Sequence, residues 1–98
     1  MKIEKGTAKN KKWKAIFSHH VDGKLKIIKR VQFGDSRYED YTQHKDKDRR
    51  KAYKRRHQKD LQKGNYMSPG FLSYYILWGA SNDINKNILA YKRKFKLK

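Results

Sequence analysis

Any fold open to this chain has to distribute a formal charge of +18 over 98 residues, because 27 Lys and Arg stand against 9 Asp and Glu. Charge of one sign repels itself, so the cations must spread over the surface, and an acidic partner that neutralises them is favoured. The imbalance is the electrostatic footprint of a polyanion binder, nucleic acid above all, since each phosphate met by Lys or Arg releases condensed counterions. A chain of 98 residues builds one domain and has no room for a catalytic domain beside a binding domain. Its mean hydropathy of -1.21 makes the core thin, while 13% aromatic residues give that core large side chains.

With no cysteine in the sequence, disulfides, thiolate zinc sites and a thiol nucleophile are excluded. The N-terminal MKIEKGTAKNKKWK is basic without a following apolar stretch, and the longest apolar-rich run, Phe71 to Trp78, is too short to span a bilayer. The expectation is a soluble protein without a membrane partner, acting inside a cell or packaged in a particle.

The pattern predicts an α+β domain: an N-terminal β-hairpin, three helices and a short C-terminal strand. Residues 1–11 lack any period and read as a flexible basic arm, leaving residues 12–98 as the single domain. From Trp13 to His19 and from Leu25 to Phe33, β-branched and aromatic residues alternate with Lys and Arg, and Asp22-Gly23 between them suits a two-residue turn. Trp13, Ala15 and Phe17 then share the core face. The stretch GDSRYEDYT, residues 34–42, reads as an ordered loop. A basic helix follows, capped by Asp46 or Asp48 and ended by Gly64, with Tyr53, His57 and Leu61 on its inner face. Ser68-Pro69 opens a second helix over FLSYYILW, apolar on nearly every side and therefore central. A third starts at Ser81, aided by Asp83, and carries Ile84, Ile88, Tyr91 and Phe95 on one stripe. The closing FKLK alternates like a short strand.

Chemistry concentrates on the basic helix. Arg49, Arg50, Lys51, Lys54, Arg55, Arg56 and Lys59 fall within about three turns and offer guanidinium forks suited to phosphate. Lys92, Arg93 and Lys94 near the C-terminus, and the Lys-rich hairpin, add to this charge. The expected function is backbone binding of nucleic acid, DNA ahead of RNA, with little sequence preference. The alternatives are docking on acidic partner proteins and, further behind, a metal-dependent nuclease around His44, Asp46 and His57. That second site is weakly supported, because His57 lies on the apolar stripe of its own helix. His19-His20 is a poor chelate, since adjacent strand residues face opposite ways. No motif calls for a cofactor or a metal. The rings of Trp13, Phe17, Phe71, Tyr74, Tyr75 and Trp78 are assigned to the core, with Tyr38 and Tyr41 left as candidates for exposed base contacts.

Residues 33–79 carry Phe33-Gly34, Tyr38, Asp40-Tyr41-Thr42, His44, Asp46, Arg50, Tyr53, Arg56-His57, Pro69-Gly70, Leu72-Ser73 and Leu77-Trp78. In this set the chain resembles a family of small uncharacterised proteins encoded by nucleocytoplasmic large DNA viruses, the giant viruses. Relatives often carry an aromatic where Leu72 stands, a difference that bears on local packing. The resemblance implies a viral protein of the virion, the host cytoplasm or the virus factory, and makes acidic virion proteins the partners of the docking alternative. It brings no activity with it.

Overall fold

Asp22 and Gly23 have φ of 51° and 76°, the doubly positive pair that a two-residue hairpin turn requires. They fold β2 (Lys11–Val21) back on β3 (Lys24–Asp35), a longer hairpin than its alternation alone predicts. The register sets Trp13 opposite Phe33 and Ala15 opposite Val31. Ala15, Phe17, Val31 and Phe33 are accordingly buried on one face. The computed structural model describes the backbone of residues 1–97 and their side chains apart from that of Lys63.

The flexible arm expected over residues 1–11 is corrected at its start. Lys2–Lys5 forms β1, antiparallel to β2, which makes a three-stranded sheet of order β1-β2-β3 and brings Ile3 opposite Ala15. Met1 is buried with the core. One apolar residue among charged ones gives no period to read, so only the free edge of β2 reveals the strand.

The helical half is built from caps. Asp40 caps α1 (Tyr41–His44), accepting from the Thr42 N–H while its own N–H donates to Gln43 Oε1 at 3.0 Å. This turn lies partly within the segment expected to be loop, so four helices follow the sheet where three were predicted. Asp46 caps α2 (Lys47–His57) by accepting from the N–H groups of Asp48 and Arg49 at 2.9 and 3.2 Å. The chain then tightens into a 3-10 segment, Gln58–Lys63, and stops at Gly64. Ser68 caps α3 (Pro69–Leu72), which widens into a π-helical segment, Ser73–Leu77, where the Trp78 N–H donates to Ser73 O at 3.1 Å. Asp83 caps α4 (Ile84–Lys94), two residues beyond the expected cap.

The expected C-terminal strand is absent from the described residues: α4 ends at Lys94 and Phe95-Lys96 turn. Phe95 is held instead by Tyr66 and Tyr91, at ring distances of 5.5 and 4.7 Å. Lys98 lies outside the described residues. The helical layer covers one end of the sheet, with Leu72, Ile76, Leu77, Trp78 and Tyr91 meeting the sheet's buried face. Two glycines let the layers close. At Gly34 (φ 80°) an added Cβ would stand 2.8 Å from Leu77 Cδ1, and at Gly79 it would stand 2.2 Å from Tyr75 O and 2.8 Å from Asn87 Cγ. Asn87, only 3% exposed, uses that room. Its Nδ2 donates to Ile76 O at 2.9 Å and Ser81 O at 2.7 Å, and its Oδ1 accepts from the Ser81 N–H. Among the described residues no helix is long and apolar enough to cross a membrane.

Candidate nucleic-acid interface

The acidic side chains are largely consumed by the fold. Asp46 and Asp83 are helix caps. Asp40, 3% exposed, is both a cap and the partner of Lys12 Nζ at 2.7 Å. Asp35 takes a forked contact from Arg37, at 3.0 Å from Nε and 2.8 Å from Nη2, which pulls its carboxyl down to about 2. Glu4 pairs with Lys2 and Asp60 with His57. Among the described residues, Lys2, Lys12 and Arg37 are the Lys and Arg side chains that reach a carboxylate. Among the described residues the other Lys and Arg side chains reach no carboxylate, which leaves the exposed ones open to an external partner.

The seven cations expected on the basic helix divide by direction. Arg49, Lys51, Arg55, Arg56 and Lys59 are exposed. Arg50 is turned inward: its Nε donates to Trp78 O at 3.2 Å and Gly79 O at 2.7 Å, and its guanidinium lies 5.5 Å from the Tyr41 ring centroid. It fastens α2 to the two carbonyls just past the π-helical segment, so its assignment as a free phosphate contact is corrected. Lys54, expected on the outer surface, leans over Tyr74 with Nζ 4.8 Å from the ring centroid. Burial, helped by the charge of Arg50, lowers its pKa. Tyr53 stacks on Trp78 at 4.1 Å with 6° between the planes, and burial pushes its hydroxyl up to about 12. Tyr41, expected to offer an exposed ring, is 5% exposed, whereas Tyr38 is 68% exposed.

The C-terminal cluster is linked to α2 through two tyrosine rings. Lys94 sits 5.4 Å from the Tyr75 ring centroid, and that ring lies 5.1 Å from Tyr74, over which Lys54 leans. Arg93 and Lys94 are exposed, and Lys92 is half-buried. Lys92 lies near the N-terminal amine, whose pKa burial and then the Lys92 charge push below its ordinary value. Between α2 and the base of the hairpin opens a cleft of about 640 Å³. Arg49 and Arg56 line one side, Lys11 and Lys12 the other, and the Tyr53–Trp78 stack also lines it.

The residues of the nuclease alternative are each engaged locally. His44 Nδ1 accepts from the Asp46 N–H at 2.9 Å, its buried Nε2 has no hydrogen-bond partner, and its ring lies 5.2 Å from Trp78. The Asp46 carboxylate is the α2 cap. His57 Nδ1 is 3.0 Å from Asp60 Oδ2 and its ring packs on Tyr53 at 4.3 Å. Among the described residues no group of three or more His, Cys, Asp or Glu is gathered as a metal site would require.

Sequence reasoning missed the cleft, whose walls come from segments far apart in the chain. It also missed the exposure of Leu25, Ile27 and Ile28, for which the one available signal was an aliphatic run set among lysines. One family model, described as a family of unknown function (DUF5754), matches residues 1–57, from β1 to the end of α2. No curated protein and no solved structure matches the chain.

Proposed function

The chain belongs to the DUF5754 family of unknown function, and for this member we propose binding of nucleic acid, DNA ahead of RNA, through the phosphate backbone with little sequence preference. The observation that carries the reading is the division of labour among charges. Six of the nine Asp and Glu serve as caps or ion-pair partners, while among the described residues the exposed cations of α2, of the 3-10 segment after it and of α4 reach no carboxylate. Such a surface repels itself in isolation and is relieved by a polyanion. Arg49, Lys51, Arg55, Arg56 and Lys59 supply the main contact, joined by Arg93 and Lys94 across the Tyr74–Tyr75 pair. Phosphate contacts fix position without reading sequence, in keeping with a reading that rests on charge.

The test is binding to random duplex across salt concentrations. With about six phosphates neutralised, log K falls against log salt with a slope of about -5, nearly independent of base sequence. Affinity that ignores salt, or no binding at low salt, refutes the reading.

A further inference from the structure

Past Phe17 the hairpin leaves the helical layer behind. From Asp22 to Arg30 every residue is exposed. The five residues Ser18 to Val21 and Asp22 extend the ribbon by roughly 15 Å at strand rise, in keeping with an envelope of 47 × 27 × 24 Å. The departure is marked by a bulge: Phe17 pairs with Lys29 and Ser18 with Ile27, so Ile28 is the extra residue. Bulges sharpen twist and redirect a strand, and this one lies where the buried face ends.

Beyond it the ribbon has two unlike faces. Ser18 pairs with Ile27 and His20 with Leu25 on one face, while His19 pairs with Lys26 and Val21 with Lys24 on the other. Leu25, Ile27 and Ile28 are 62%, 47% and 52% exposed, in a domain whose core has little apolar surface to spare. Large aliphatic groups kept in water at such a tip call for an occupant. Charge selects it. Lys24, Lys26, Lys29 and Arg30 lie along β3, and Asp22 is the ribbon's one carboxylate. A second copy laid along the β3 edge would oppose lysine to lysine, which is unfavourable.

Resting on the proposed nucleic-acid reading, we propose that this ribbon enters the major groove of duplex DNA, Leu25 and Ile27 meeting base edges and the flanking lysines meeting phosphate. A two-stranded ribbon fits a groove about 12 Å wide. Thymine methyl groups give aliphatic side chains an apolar partner there, and lysine stems are long enough to carry their amines outward from either face. The ribbon thus adds a component of affinity that salt does not screen to the screened component of α2.

Two variants test it beside the parent and a Lys51→Gln/Arg55→Gln/Lys59→Gln protein. Lys24→Gln/Lys26→Gln/Lys29→Gln is expected to lower the magnitude of the salt slope by about 2.7, at about 0.9 per phosphate. Leu25→Thr/Ile27→Thr keeps strand propensity and is expected to weaken duplex binding on the order of tenfold at unchanged slope. Both should melt like the parent, because the positions lie outside the core. If the ribbon variants bind like the parent while the α2 variant does not, the ribbon proposal falls and the general reading stands. If the parent itself fails to bind duplex, both fall. Loss of self-association, or of binding to phosphatidylserine vesicles, with duplex binding intact would assign the tip to a second copy or to a lipid surface and overturn the proposal.

Discussion

Cations of α2 and of the 3-10 segment that follows it should respond oppositely to loss of charge, according to the way they face. Lys51, Arg55 and Lys59 are exposed and make no ion pair among the described residues, so on the proposed reading their replacement by Gln removes phosphate contacts alone. At about 0.9 per contact, a slope of about -5 falls to about -2.5, and at 0.1 M salt the affinity drops roughly eightfold per contact, several hundredfold in all. Stability holds within about 0.5 kcal/mol, because Gln is nearly as good a helix former and the like-charge neighbours at four-residue spacing are relieved. Arg50→Gln is the converse. Its Nε bridges Trp78 O and Gly79 O, at 3.2 and 2.7 Å, and its charge faces Tyr41. One shared charged hydrogen bond and one cation–π contact together are worth about 2 to 3 kcal/mol, or roughly 10 to 20 °C of Tm for a domain of this size. The assay pairs thermal melts followed by circular dichroism with fluorescence anisotropy on a labelled duplex over a salt series. An Arg50→Gln protein that keeps its Tm and loses slope would refute the structural assignment of Arg50. A triple Gln protein that keeps slope and affinity would remove α2 from the interface.

Trp78→Ala should cost about 3 to 5 kcal/mol, since it deletes a ring 9% exposed and stacked on Tyr53; melting like the parent would refute its place in the core. Gly79→Ala forces a Cβ to within 2.2 Å of Tyr75 O and should cost about 2 to 3 kcal/mol, read as a lowered urea midpoint. Alkaline titration followed by tyrosine absorbance should show late groups, Tyr53 and Tyr91 foremost, with burial also raising Tyr74. Burial raises Tyr53 to about 12 and Tyr91 further still, and Tyr91 also donates to Tyr66 O. Because these folded-state values lie above the ordinary value of about 10, the linked stability is intact below pH 10 and is lost as pH rises through 12. Tyrosines that all ionise together near 10 in the folded protein would refute the burial of both rings.

The sequence by itself determined what is local. Asp22-Gly23 demands a hairpin turn, Asp46 and Ser68 are capping residues at the start of periodic segments, and Gly64 ends one, because each rule concerns neighbours within a few residues. The net charge likewise follows from composition and makes a polyanion the expected partner in any fold. Tertiary structure decided everything that depends on which segments meet. β1 exists because the free edge of β2 accepts it, and no period in residues 2–5 announces that edge. Phe95 joins Tyr66 and Tyr91 rather than a strand, a ring cluster drawn from separate segments that alternation over four residues cannot announce. Arg50 and Arg49 are adjacent cations of the same kind, yet one faces the carbonyls at the end of the π-helical segment and the other solvent. That difference arises from a contact 28 residues away in the chain, which helical spacing cannot specify. The exposed ribbon is the same case: alternation in β3 predicts one buried face, and only the extent of the helical layer determines that burial ends at Phe17.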